Sequence, residues 1–200
     1  GEARIGTVDS RRFVNVSGSK GTMTFRADQK ARTANLYAEV RYRPLQQLSL
    51  IVGGIYADGY RRQHERFNSV LGGARDVTAR AAFSEFSPKF GVLFEPTSTM
   101  QVYANYSRSA ELPGFGELAQ VSRFVPLDAQ RAWTMEVGTR GEAGIAQWDV
   151  SLYRADLKGE MLQYTVNADI PASTFNAGKT RHQGVEAALT LDLAPWLRLR

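Results

Sequence analysis

The sequence predicts an all-β fold, a membrane-spanning antiparallel β-barrel or a section of one, and three observations predict it. Apolar and polar residues alternate with period two over successive stretches, as they do in strands that show different faces to different surroundings. Short turns recur near residues 45, 97, 144 and 195, at intervals of roughly fifty residues. Longer stretches without that period lie between them, so short and long connections alternate. A barrel with two unlike rims has this arrangement.

The clearest strand is Asn35-Leu36-Tyr37-Ala38-Glu39-Val40-Arg41-Tyr42-Arg43, with Leu36, Ala38, Val40 and Tyr42 on one face. Pro44 ends it, and the alternation restarts with Leu48, Leu50, Val52, Gly54 and Tyr56. Phe90, Val92 and Phe94 then alternate up to Glu95-Pro96-Thr97-Ser98, and Met100, Val102, Ala104 and Tyr106 resume beyond that turn. Trp133, Met135, Val137 and Thr139 lead into the turn Gly141-Glu142-Ala143-Gly144, followed by Trp148, Val150 and Leu152. Val185, Ala187, Leu189 and Leu191 precede Ala194-Pro195. About eight strands result. Irregular loops are expected at 59 to 82, 109 to 130 and 159 to 175, which contain Gly72-Gly73, Pro113-Gly114 and Ile170-Pro171.

Composition removes several functions. The chain has 200 residues, no Cys and two His, which excludes thiolate chemistry and cysteine metal sites and leaves too little for a histidine cluster. Its net charge of +5 comes chiefly from Arg, with Lys only at positions 20, 30, 89, 158 and 179, and no basic stripe carries regularly spaced stacking aromatics. Nucleic acid is therefore not an expected partner. No run approaches a transmembrane helix, which leaves strand crossing open. The carboxylates Glu142, Asp156 and Glu160 have no second carboxylate fixed opposite, so no enzyme is expected. The chain starts at Gly1 and stops inside an alternating pattern, and is expected to be a section of a longer protein.

The faces suggest binding roles. Glu39, Arg41, Glu136, Arg140 and Glu186 fall on the non-lipid face, where Glu136 and Arg140 are lumen candidates for ligand contact. Tyr60, Arg61, Arg62 and His64 gather positive charge beside an aromatic ring and suit an anionic ligand from a loop. A solvated loop or paired sheet face would show the same residues. Trp133, Trp148, Trp196 and Tyr42 lie near strand ends, where rings suit a headgroup belt or ordinary packing. A soluble sandwich or propeller remains open on pattern alone.

Five segments carry a resemblance to a known family. They are Phe86-Ser87-Pro88-Lys89-Phe90-Gly91-Val92-Leu93-Phe94-Glu95-Pro96, Val102-Tyr103-Ala104-Asn105-Tyr106-Ser107-Arg108-Ser109, Glu136-Val137-Gly138-Thr139-Arg140, Leu152-Tyr153-Arg154-Ala155-Asp156, and Phe175-Asn176-Ala177-Gly178-Lys179-Thr180-Arg181-His182-Gln183-Gly184-Val185-Glu186. In order and spacing they resemble the C-terminal barrel of TonB-dependent outer-membrane receptors over most of residues 32 to 200. Residues 1 to 31 are less diagnostic.

The resemblance implies that residues 1 to 200 supply part of a 22-stranded barrel in the outer membrane of a Gram-negative bacterium, about eight strands of it, without the plug domain or TonB box. It implies transport without catalysis, most simply uptake of a ferric siderophore, with no cofactor bound by the barrel itself. It also implies partnership with outer-membrane lipid, a small-molecule ligand and, through the missing N-terminal part, the TonB-ExbB-ExbD complex. Uptake of a small organic cofactor such as pyrroloquinoline quinone, or a passive porin-like barrel, are the alternatives.

Overall fold

The computed structural model describes residues 1–120, 123–165 and 173–200. One antiparallel sheet contains β1 (Glu2–Val16), β2 (Ser19–Leu45), β3 (Leu48–Asn68), β4 (Gly73–Thr97), β5 (Met100–Glu111), β6 (Gln130–Ala143), β7 (Ala146–Lys158), β10 (Lys179–Ala194) and β11 (Leu197–Leu199). These nine strands pair in chain order, and a separate hairpin of β8 (Met161–Tyr164) and β9 (Ser173–Asn176) is inserted between β7 and β10. The sheet is open at β1 and β11.

Register turns the alternation of single strands into a surface. Tyr42, Leu50, Val92, Ala104, Val137, Leu152 and Val185 stand directly opposite one another in a row across seven strands. Rows on the side away from the tight turns add Leu36, Val40, Val52, Tyr56, Phe86 and Phe90, and most of these side chains are exposed. The result is a continuous apolar band. On β3 it runs nine residues from Leu48 to Tyr56, the length of a tilted strand that crosses a hydrocarbon layer. Rings mark both margins: Tyr106 stacks on Trp133 at 4.8 Å near one, and Tyr42, Phe94 and Trp148 stand near the other. Trp196, 83% exposed, sits in a turn beyond that second margin.

The opposite, inner face has the complementary row Arg41, Ile51, Gly91, Asn105, Glu136, Tyr153 and Gly184. Tyr103 crosses Gly138 on this face to donate a hydrogen bond to Glu136 at 3.0 Å. A Cβ at Gly138 would lie 2.5 Å from that ring, so the crossing needs glycine there.

One rim consists of tight turns, closed by the pairs Leu45 with Leu48, Thr97 with Met100, Ala143 with Ala146, and Ala194 with Leu197. These are the four turns expected from sequence. The other rim differs from expectation. The stretch 59 to 82 is strand almost throughout, because β3 and β4 pair continuously from Leu48 with Phe94 to Asn68 with Gly73, apart from one bulge. Only a 3-10 turn, Ser69–Leu71, and Gly72 separate them. Tyr60, Arg61, Arg62 and His64 are therefore strand residues. Residues 1 to 31 add a further long hairpin, β1 with β2, closed by Ser17 and Gly18 with φ of 50° and 85°. That left-handed pair matches the twist of antiparallel strands.

Of the irregular stretch expected at 109 to 130, the ends belong to β5 and β6, and the described residues of the connection 112–129 include one short helix, Phe115–Leu118, and an isolated bridge of Ala119 with Phe124. The expected loop at 159 to 175 contains β8 and the start of β9, while Ile170-Pro171 lies outside the described residues. The buried apolar residues Phe25, Ala27, Leu118, Ala119 and Ala129 collect at this second rim. Arg12 fastens the connection there, donating to the Ala119 carbonyl at 2.9 Å with its guanidinium 5.0 Å above the Phe25 ring.

Candidate functional site

Beyond the apolar band the two faces exchange character. On β2 and β3 the inner face continues as Phe25, Ala27, Gln29 and Arg61, Gln63, Glu65, all buried, while Lys30, Arg32, Arg62 and Arg66 on the other face are exposed. Gln29 donates to Gln63 at 2.8 Å inside this layer, and Arg75 pairs with Glu65 at 2.5 Å. Buried amides and charges of this kind are tolerated because each meets a partner.

Arg61 is the exception in charge. Its Nη1 donates to the Arg32 carbonyl at 2.9 Å, Thr33 Oγ1 at 3.1 Å and the Tyr60 carbonyl at 3.1 Å, all neutral oxygens. No ion pair to Arg61 occurs among the described residues. Burial alone pushes its pKa down from the ordinary arginine value, and it still carries a charge at neutral pH. Gly59 permits this packing: a Cβ there would lie 2.6 Å from Leu112 Cδ1 and 3.7 Å from Arg61 Nη1. The connection 112–129 thus begins with a side chain pressed onto the backbone beside the buried guanidinium.

A second charged group closes a gap in the sheet. β5 pairs with β4 only as far as Ser107 with Lys89, leaving the far part of β4 without β5 alongside. Glu85, 6% exposed, spans this divergence. It accepts from Arg108 Nη2 at 2.7 Å and Arg131 Nε at 2.9 Å, and Arg108 also donates to the Phe86 carbonyl. The Arg131 guanidinium first, and Arg108 after it, hold the Glu85 carboxyl below the ordinary glutamate value. Nearby, the inner face forms a hollow of about 540 Å³ lined by Asn35, Tyr37, Ala57, Ser87, Lys89 and Ser109. Lys89 within it is paired to Glu39.

The six residues singled out from sequence do not converge. Arg61 faces inward near the second rim, whereas Tyr60, Arg62 and His64 alternate onto the opposite face, where His64 meets Asp76 at 2.5 Å. Glu136 is inner but lies level with Ile51 by register, ten positions from Arg61 or roughly 33 Å of strand. Arg140 lies farther still, at the tight-turn rim, donating to Gln101 Oε1 at 2.7 Å. Sequence reasoning missed Glu85 and Arg131. Arg108 stood in a recognised segment, yet nothing local showed that β4 and β5 diverge beside it. Among the described residues no group of His, Asp and Glu has metal-binding geometry.

The family described as "TonB dependent receptor-like, beta-barrel" matches residues 4–200. Among solved structures, the ferric-catecholate import receptor Fiu from K12 E. coli superimposes with a TM-score of 0.66 at 20% identity, over 96% of this chain and 32% of Fiu. The ferric yersiniabactin uptake receptor FyuA from Yersinia pestis gives 0.65 at 16% identity, over 86% of this chain and 26% of FyuA. The copper transporter OprC gives 0.70 at 14% identity, covering 86% and 27%. The chain spans about a third of these proteins or less.

Proposed function

The chain belongs to the TonB-dependent receptor-like β-barrel family, and from that premise we propose that it is a section of a closed 22-stranded outer-membrane barrel that imports a ferric siderophore. The apolar band is then the lipid face, the tight-turn rim is periplasmic, and the rim holding Arg61 is extracellular. Transport proceeds by binding and passage, with energy supplied by the TonB-ExbB-ExbD complex through parts of the receptor outside these residues.

The observation that carries the ligand class is the buried guanidinium of Arg61 on the inner face beyond the apolar band. Arg61 has only neutral partners, and Arg108 and Arg131 share the single carboxylate of Glu85. A buried cation without a counter-charge gains most from an anionic group that arrives dehydrated. Ferric siderophore complexes with negative charge fit that demand, and Arg61 is the residue proposed to meet them once Leu112 shifts from Gly59. Tyr60, Arg62 and His64 face away from the inner site, and for Glu136 and Arg140, far from Arg61 along the strands, the proposed role is in the passage wall.

The test is uptake of radiolabelled ferric siderophore by cells whose only receptor is the full-length protein. Uptake is expected to vanish without TonB, and R61A is expected to raise the half-saturating concentration about tenfold at unchanged receptor level. Uptake that persists without TonB overturns the transport reading. An unchanged half-saturation in R61A removes Arg61 from the site.

A further inference from the structure

Three cations stand in one row on the face that carries the apolar band. Lys30 on β2 is directly opposite Arg62 on β3, and Arg62 is directly opposite Arg80 on β4. All three are exposed, and among the described residues none has an ion pair or side-chain hydrogen bond. Like charges facing one another across adjacent strands oppose sheet formation, so such a row is costly unless something neutralises it.

The surrounding acids are already engaged. Two positions nearer the band, Arg32 pairs with Asp58 at 3.2 Å. Two positions farther away, Arg66 pairs with Asp28 at 2.6 Å and His64 with Asp76 at 2.5 Å. On β1, Asp9 accepts from Arg11 and Arg26, and the residue opposite Lys30 is the neutral Thr7. The rows on both sides are neutralised within the sheet, and the row between them is not.

Its height above the band is uniform. Lys30, Arg62 and Arg80 each lie six residues beyond the last apolar row, Leu36, Tyr56 and Phe86. Six residues are roughly 20 Å of strand, or about 15 Å along the membrane normal at the tilt usual in barrels. On the outward face at that height the neighbouring molecules are the head groups of the outer leaflet. Arg offers paired donors to a phosphate and Lys a compact charge, and three of them at strand spacing match a saccharide bearing more than one phosphate. Tyr60, between Arg32 and Ala82 on the adjoining row, offers a ring for sugar contact.

We propose that Lys30, Arg62 and Arg80 form a binding site for the phosphate groups of a phosphorylated glycolipid in the outer leaflet. The site rests on the outer-membrane placement given above and not on the identity of the transported ligand. It also gives Arg62 a role separate from that of Arg61: neighbouring residues on one strand serve the lipid surface and the inner passage.

The experiment uses full-length receptor in detergent, without siderophore. Bis-phosphorylated lipid A, its dephosphorylated form and inorganic phosphate are titrated while native mass spectrometry reads bound glycolipid. Wild type is expected to bind the phosphorylated form at least tenfold more tightly than the dephosphorylated form, and the triple variant K30Q/R62Q/R80Q to lose that preference. Equal binding of the two forms by wild type overturns the proposal without reference to any variant. Retention of the preference by a folded triple variant overturns it as well. Competition by inorganic phosphate in the low millimolar range assigns the row to free phosphate and overturns the lipid assignment. Siderophore uptake by R61A is scored separately, so failure of one reading leaves the other legible.

Discussion

Residues 1–97 and residues 98–200 build the second rim, the one opposite the tight turns, in different ways. In the first part the strands run 15 to 27 residues and rise far beyond the band, ending in turns of a few residues. In the second the strands β5, β6, β7 and β10 run 12 to 16 residues, and the chain between them is spent on the connection 112–129 and the small β8–β9 hairpin. The first part supplies a wall and the second supplies the material packed against it, as the contact of Leu112 with Gly59 and of Arg12 with Ala119 shows. The difference teaches that strand length past the apolar band is governed by polar pairing, since the apolar pattern stops at Leu36, Tyr56 and Phe86 in long strands and near Tyr106 and Met135 in short ones.

The sharpest test of that division is the place where wall and filling meet, Glu85. E85Q leaves Arg108 and Arg131 without a carboxylate, and the unfolding free energy of the receptor in lipid vesicles is expected to fall by about 2 kcal/mol, after allowing for the partial exposure of both arginines. Hydrogen exchange should quicken at the ends of β5 and β6 while the apolar band stays protected. Because the folded Glu85 value lies below its unfolded one, the stabilisation is complete above the ordinary glutamate value and is lost as pH falls through the lower folded value. The variant should lack that acid-dependent component. Identical acid profiles for wild type and E85Q would show that the divergence of β4 and β5 needs no charge to hold it.

A smaller effect is expected within the filling itself. Asn176 donates from Nδ2 to the carbonyls of Asp128 at 3.0 Å and Gly159 at 2.7 Å, and its Oδ1 accepts from the Asp128 amide at 2.8 Å. One side chain therefore ties together the end of the connection 112–129, the end of β7 and the end of β9. N176A should cost about 1 to 2 kcal/mol locally. The readout is faster exchange at Asp128, Gly159 and Ala177 with β1 to β4 unchanged. Loosening that spreads into β2 and β3 would mean that wall and filling unfold together.

The banded part of the fold was legible because its strands are apolar on one face only, and Leu36 to Tyr42 or Leu48 to Tyr56 state that period directly. The extensions were not. There the exposed face carries Lys30, Arg32, Arg62 and Arg80 while the buried face holds Gln29, Arg61 and Gln63, so both faces look polar and the stretch resembles a loop. Its strand character resides in pairs that a single segment cannot reveal, such as Asp28 with Arg66, 38 residues apart. The candidate site suffered the same loss. Tyr60, Arg61, Arg62 and His64 form one cluster if the segment is a loop, but two opposed sets once it is a strand. Asn176 stands in a recognised segment, but its three tertiary hydrogen bonds depend on Asp128 and Gly159 being brought to it.

The smallest effect bears on whether individual pairs carry the extensions or only their sum does. Arg32 and Asp58 face each other obliquely on the exposed side, at 3.2 Å with both side chains over a third exposed. A double-mutant cycle of R32A and D58A should return a coupling of about 0.5 kcal/mol or less, and less again in high salt, because water and ions screen such a pair. The buried pair of Gln29 and Gln63 provides the contrast. Q63A should exceed the exposed coupling, at about 1 to 2 kcal/mol, since the Gln29 amide is left buried without its acceptor. If the exposed cycle instead matched the buried loss and survived salt, the charged face would be the element that keeps β2 and β3 extended. If it is small and the buried loss is large, the inner layer of Phe25, Ala27, Gln29, Arg61 and Gln63 holds the wall upright, and the outward charges add little to it.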